Sequence, residues 1–250
     1  MKLRISIIKI NLFLLTLLIT FGGWNNSITR AEDLESKFSL ENNQDSTSLE
    51  SHYRQVYDWY HQGNDFYNQQ QYFDAISAYG KAIQLEPNFD LALNGQGWSF
   101  RELGDYNRAL TAFESAIKIN PNHYGHWQGK GNVLYYQSRF EESLSAYNVS
   151  LAINSNSDNS WAGKGWALGR LQEYQLAIES FDRALAIDSQ IANYWSGKGW
   201  VLYEMEHYHE AVPVLEQALK LDPTDNFAEY HLRLSRKLLA QNSIASSQSN

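Results

Sequence analysis

Residues 192–225 read ANYWSGKGWVLYEMEHYHEAVPVLEQALKLDPTD, and the same pattern stands four times upstream. Gly63, Gly97, Gly131, Gly165 and Gly199 are spaced by 34 residues each time, in a chain with only 15 glycines. Four residues before each glycine stand Trp59, Leu93, Trp127, Trp161 and Trp195. Three after come Phe66, Phe100, Leu134, Leu168 and Leu202. Farther on, Ala75, Ala109, Ser143, Ala177 and Ala211 precede Tyr79, Phe113, Tyr147, Phe181 and Leu215, and then Ala82, Ala116, Ser150, Ala184 and Ala218. Pro87, Pro121 and Pro223 close three of the repeats, while Ser155 and Ser189 hold that place in the other two. Agreement at so many independent places makes the period the first structural fact about the chain.

Spacings of four and three put Trp195, Gly199 and Leu202 on one face of a helix. Ala211, Leu215 and Ala218 mark the matching face of a second helix. Small residues let the two helices approach, and large ones fill the space beside them. A single hairpin of this size buries too little to fold alone, so neighbours must stack. The turn Leu103-Gly104-Asp105-Tyr106 separates the helices of the second repeat. Pro213 falls inside a predicted helix and is expected to bend it locally. The repeats without a closing proline are expected to have looser turns.

The pattern resembles the tetratricopeptide repeat family. Five repeats, 56–89, 90–123, 124–157, 158–191 and 192–225, cover 170 of 250 residues. The resemblance implies an all-α fold, a right-handed α-solenoid of antiparallel helix hairpins. Residues 226–241, with Phe227, Leu232, Leu234, Leu238 and Leu239 among charges, suit a capping helix over the open end. One departure from the family is the residue before each glycine, ordinarily apolar, which here is Gln62, Gln96, Lys130, Lys164 or Lys198. The bland reading of that lysine row lays the stems along the helix pair, with the heads in water or on acids of a neighbouring repeat. An anion-binding row is the alternative.

The resemblance also implies that the first helix of each hairpin lines a concave binding face. Helical geometry then places Tyr60, Asn64, Tyr67, Trp98, Arg101, Asn132, Tyr135, Trp166, Arg170, Trp200 and Tyr203 on that face as candidate groove residues. The groove is aromatic, rich in amides and nearly neutral. Family members that clamp a terminal carboxylate place Lys and Asn where Tyr60 and Trp98 stand, so that mode is not expected. Rigid aromatics supply contact area at low entropic cost, which suits an extended ligand. The competing role for Trp98, Trp166 and Trp200 is packing against the next repeat's first helix. Trp59, Trp127, Trp161 and Trp195 are expected in the core.

Residues outside the repeats carry an address. Lys2, Arg4 and Lys9 precede an apolar run from Ile10 to Phe21, and Thr29-Arg30-Ala31 offers a cleavage site. This is the layout of a secretory signal peptide over 1–31. Uncleaved, it would anchor the chain to a membrane through residues 10–21. Export would place the protein in a periplasmic, luminal or extracellular space. Residues 32–55 and 242–250 are rich in Ser, Asn and acids and are expected as a disordered linker and tail.

Composition excludes several classes. With no cysteine, the chain has no disulfide, thiolate metal site or cysteine nucleophile. The 20 basic and 28 acidic residues give a net charge of −8, and losing residues 1–31 would make it −12. Such a surface is a poor match for nucleic acid. No glycine-rich phosphate loop or nucleophile elbow is present. Gly129-Lys130-Gly131 looks like a fragment of such a loop, but it recurs in three repeats and reads as a packing motif. His207 and His209 point to different sides of a helix, so no metal site is expected with Glu210. Glu141 and Glu142 read as a solvated pair. The sequence therefore points to a non-enzymatic scaffold without cofactor or metal. Its expected partner is a protein or peptide segment, bound in the assembly of envelope or membrane complexes. The alternative is a carbohydrate or cell-wall module that stacks sugars on the groove rings.

Overall fold

The computed structural model describes residues 45–248, with side chains over 49–241. The signal segment, linker residues 32–44 and residues 249–250 lie outside the described residues. Among the described residues there are eleven helices and no strand. They are α1 (Asp45–Asn68), α2 (Tyr72–Leu85), α3 (Asp90–Glu102), α4 (Tyr106–Ile119), α5 (Tyr124–Tyr136) and α6 (Phe140–Ile153). Then follow α7 (Asp158–Arg170), α8 (Tyr174–Ile187), α9 (Ala192–Glu204), α10 (Tyr208–Leu221) and α11 (Asn226–Gln248).

The chain divides into two units at Asp58 and Trp59. The first contributes the opening turns of α1. Residues 45–55, expected in a structureless linker, are helical there. Leu49, Tyr53 and Val56 stand four and three apart, an apolar stripe hidden by the polar residues between them. Within the second unit, from α2 onward, each helix packs on the next, and the first helices α3, α5, α7, α9 and α11 pack on one another.

The core is a column of rings held between glycines. A Cβ on Gly131 would lie 3.1 Å from the Tyr147 ring, and one on Gly163 of the next repeat only 2.2 Å from it. Phe113 sits in the same way between Gly97 and Gly129, and Phe181 between Gly165 and Gly197. In Gly-Lys-Gly the second glycine thus receives the ring of its own repeat, and the first receives the ring of the repeat before. Each such ring is almost wholly buried. The lysine between the glycines points outward. Lys130 reaches Glu114 of the preceding repeat at 2.9 Å, and Lys198 reaches Asp182 at 2.6 Å. Asn148 stands where those acids do in the neighbouring repeats, and Lys164 lies over the Trp161 ring at 5.2 Å.

The turns repeat as strictly as the core. Gln70, Gly104, Ser138, Gln172 and Glu206, 34 apart, all have φ between 59° and 75°. After each, the next N–H reaches back to a carbonyl five residues earlier, as from Arg139 to Leu134 at 2.9 Å. This is a Schellman closure with a left-handed residue after the helix. The turns between repeats are equally uniform, contrary to the expected looseness at Ser155 and Ser189. The Asn154 and Asp188 side chains accept from the N–H two residues on, at 3.1 and 2.8 Å, as Asp222 does at 2.9 Å. Indole N–H groups of Trp127, Trp161 and Trp195 donate to the carbonyls of Pro121, Ser155 and Ser189 at 2.8–2.9 Å. These tryptophans, expected inside the core, are half-buried at its edge and brace the turn. The acceptor side chain and the indole occur with proline or without it, and they hold the turn where proline is missing. Helix α10 runs without interruption through Pro213.

Helix α11 stacks like a sixth first helix. Ala228, His231, Leu232 and Ser235 are buried, 34 after Tyr194, Gly197, Lys198 and Val201. The face that would receive a further hairpin is charged and exposed: Glu229, Arg233 and Arg236 follow Trp195, Gly199 and Leu202 by 34. That substitution ends the stack. The helix continues to Gln248, so residues 242–248 of the expected tail are helical.

Buried polar groups also link the repeats. The His126 imidazole lies between Asp90 Oδ2 and Asn94 Oδ1, at 3.1 Å from each. The adjacent His123 ring stacks on it at 4.1 Å, and burial together with His126 holds the His123 imidazole down at about 4.

Candidate functional site

One column of side chains on the first helices changes character down the stack: Asn64, Trp98, Asn132, Trp166 and Trp200. Its partner is the core side chain of the same repeat: the rings of Tyr79, Phe113, Tyr147 and Phe181, and then Leu215. Where the core ring is a tyrosine, its hydroxyl reaches the amide: Tyr79 donates to Asn64 Oδ1 at 2.7 Å, and Tyr147 bonds Asn132. Where it is a phenylalanine, a tryptophan meets it edge to face, Trp98 on Phe113 at 5.3 Å and Trp166 on Phe181 at 5.5 Å. A ring edge is apolar and takes an indole, whereas a buried hydroxyl needs a hydrogen-bond partner.

Toward the first repeat the face is a polar ladder. Tyr67 donates to Glu102 Oε1 at 3.2 Å. Burial and the Glu102 charge push its phenol up to about 12. Glu102 pairs with Arg101, and Arg101 Nε donates to Asn132 Oδ1 at 2.9 Å in the third repeat. The guanidinium also lies over the Tyr136 ring at 5.1 Å. Tyr60 packs against Tyr79 and Phe89. Toward the other end, Trp166 and Trp200 stack at 5.4 Å with ring planes 19° apart. Phe227 of α11 closes edge-on over Trp166 at 5.6 Å and over Trp200 at 6.4 Å. The two indole N–H groups donate to Asn193 Oδ1 and Glu204 Oε1 at 3.1 and 3.0 Å. Tyr203 meets His231 of α11 at 5.3 Å. Tyr135 meets Phe140, whose ring also carries the Arg170 guanidinium at 5.0 Å.

Between these ends lies an open cavity of about 500 Å³. Its walls come from α3 (Trp98, Arg101), α5 (Gln128, Asn132, Tyr135, Tyr136), α7 (Asn159, Ala162, Gly163, Trp166) and α9 (Asn193, Tyr194, Ser196). Asp225 and Phe227 close it at the cap, and Tyr147 is the one contribution from a second helix. Five of the eleven expected groove residues line it: Trp98, Arg101, Asn132, Tyr135 and Trp166. Tyr60, Asn64, Tyr67, Arg170, Trp200 and Tyr203 lie outside it and are engaged with neighbouring side chains. Phe227 and Asp225 were not among the expected groove residues. The signal was present, since Phe227 follows Asn193 by 34 and so falls on the groove side of α11. Arg101 and Asp225 are the only charged groups in the lining, so the cavity is formally neutral. Among the described residues no cluster of three or more His or carboxylate side chains could hold a metal.

Family models described as tetratricopeptide repeat match residues 60–124, 94–158, 129–192 and 192–225. No curated protein gives a significant match to the sequence. Among solved structures, the chain is similar to TTC0263, a thermophilic TPR protein in Thermus thermophilus. That likeness has 20% identity, a TM-score of 0.61, and covers 72% of this chain and 98% of that one. MamA from Desulfovibrio magneticus shares 19% identity with a TM-score of 0.59, over 69% and 97% of the two chains. YrrB, described as a TPR protein with an unusual peptide-binding site, shares 18% with a TM-score of 0.56, over 74% and 95%. These likenesses establish the fold. The family matches run unbroken over the residues whose glycines and rings build the repeating core, and the chain belongs to the tetratricopeptide repeat family.

Proposed function

We propose that this chain is a non-enzymatic interaction scaffold, exported from the cytoplasm, that holds a segment of a protein partner in the cavity between Trp98 and Phe227. Assembly of envelope or membrane complexes is the role this suits. Tetratricopeptide repeats bind protein or peptide partners, and the observation that carries the reading here is the open cavity of about 500 Å³. It is walled by four successive first helices and carries rigid rings beside amides, the composition of a recognition surface. The peptide-binding site named for YrrB supports the same reading. Stacking of sugars is less well supported, because Trp166 and Trp200 turn a face to each other and Phe227 covers their edges.

Trp98→Ala combined with Tyr135→Ala tests the site. A partner captured by the native protein from membrane or soluble fractions of its source should be lost by about ten-fold or more, with the helical circular dichroism unchanged. Undiminished capture by the folded variant would overturn the reading. N-terminal sequencing of the mature protein tests export: a start near Glu32 supports cleavage, and an intact Met1 supports an anchor.

A further inference from the structure

Two amides of the cavity lining are fixed in orientation by their hydrogen bonds. Asn132 Oδ1 accepts from Arg101 Nε at 2.9 Å, and Asn193 Oδ1 accepts from Trp166 Nε1 at 3.1 Å. Guanidinium and indole nitrogens only donate, so neither amide can be reversed without setting donor against donor. The amide nitrogens are what remains for a ligand, with two hydrogens on Asn193 and one on Asn132, whose other hydrogen goes to Tyr147. Gln128 and Asn159 are not fixed in this way, because the hydroxyls beside them give their single hydrogens elsewhere, Ser157 to Ser160 and Tyr194 to Asp158, at 2.9 Å each. The lining's one carboxylate is engaged within the chain. One oxygen of Asp225 accepts from the Ser196 hydroxyl, and the other from the N–H groups of Phe227 and Ala228 at 3.0 Å each. Trp98 Nε1 meets no acceptor among the described residues. The Tyr136 hydroxyl accepts from Arg101 at 3.4 Å, which leaves its hydrogen to give. The fixed groups Asn132, Asn193 and Asp225 thus spend their acceptors inside the protein, while donors and ring faces are left toward the cavity.

An ordinary peptide brings one donor and one acceptor per residue. Its N–H groups would find donors, not acceptors, on Asn132, Asn193 and Trp98, and would lose their water. Proline brings the carbonyl without the N–H, holds φ near the polyproline II value, and offers an apolar ring to an aromatic face. We propose that the cavity takes a proline-rich segment in the polyproline II conformation. The Asn132 and Asn193 NH₂ groups donate to its carbonyls, and the Trp98 ring packs its pyrrolidine rings. An uncharged segment also fits a lining whose single cation and single anion are already paired within the chain. This deepens the peptide-groove reading and rests on it.

The test is titration of the native protein with N-acetylated, C-amidated octaproline and with a Gly-Ser octapeptide blocked in the same way, followed by calorimetry. Octaproline should bind, and the Gly-Ser peptide about ten-fold or more weakly. In Asn132→Asp with Asn193→Asp, the retained oxygens still accept from Arg101 and Trp166, but each cavity-facing donor becomes an acceptor. Octaproline should then bind about ten-fold more weakly, with the thermal midpoint unchanged. Equal binding of the two peptides, no saturable octaproline binding, or an unaltered affinity in the folded variant would overturn the proposal. The two-peptide comparison decides on the native protein even where a variant does not fold. A displayed library of random 12-residue peptides separates the levels. Binders that depend on Trp98 but lack proline sink this proposal and leave the groove reading standing. Absence of any Trp98-dependent binder, or saturable binding of soluble oligosaccharides instead, sinks both.

Discussion

At the residue scale, Gly163 shows why the period carries two glycines rather than one. The Tyr147 ring edge stands where a Cβ would be, 2.2 Å from it, so the glycine is required by the ring of the repeat before. Gly163→Ala should destabilise the protein by about 2–3 kcal/mol, because a fully buried ring held between two helices has little room to retreat. Tyr147→Leu removes the ring that collides, and repeat five already places Leu215 at that position. The double variant should therefore be less destabilised than the two single losses added together, a positive coupling measurable by urea denaturation. Additive losses would mean that the ring is not what the glycine accommodates. The same residues show what a single sequence can yield. Gly-Lys-Gly is recognisable as packing because it recurs, but which ring each glycine serves depends on a neighbour about 16 residues away in space-filling contact. The pairing of Asn with Tyr and Trp with Phe could have been read from the period once the two columns were set side by side.

At the element scale, the hairpin turns pose a backbone demand that sequence pattern barely records. Five turns need a left-handed residue, and only Gly104 is a glycine; Gln70, Ser138, Gln172 and Glu206 adopt the same φ with a side chain. The left-handed conformation costs an ordinary residue roughly 1 kcal/mol. Gly104→Ala should thus lower stability by about 1 kcal/mol without altering the hairpin. A thermal or urea midpoint that does not fall would show that this turn tolerates a side chain at no cost. Four side-chain-bearing residues in that conformation imply that stacking overrides local preference. Helix ends were the least legible elements for the same reason. The stripe of Leu49, Tyr53 and Val56 lies within a Ser-, Glu- and Gln-rich segment, where composition suggests disorder and only spacing suggests a helix. The closing turns were misjudged by giving weight to the proline. The equivalent constraint comes from an Asx side chain and an indole six residues on, a contact that exists only after the helix has formed.

At the scale of the whole molecule, the architecture was legible because it is periodic, and the groove was only half legible because the cap keeps the register of a first helix without the repeat's residues. The first helices line the cavity as the period implies, but α11 places Phe227 over the Trp166–Trp200 pair and shortens the groove from one side. That cap also allows a test of how stability is distributed. In a stack where each hairpin touches only its neighbours, loss of one interface should be felt locally first. A chain ending at Asp225 loses Ala228, His231, Leu232 and Ser235 and uncovers the core around Leu202, Leu215 and Ala218. Deletion of this order of apolar burial should cost about 2–4 kcal/mol at that end. Hydrogen exchange in α9 and α10 should accelerate while α3 to α6 keep their protection. Tryptophan emission should shift to the red, since Trp200 and Trp166 lose Phe227. If protection instead falls equally in α3 to α6, the repeats unfold as one cooperative body, and the nearest-neighbour account of this stack is wrong.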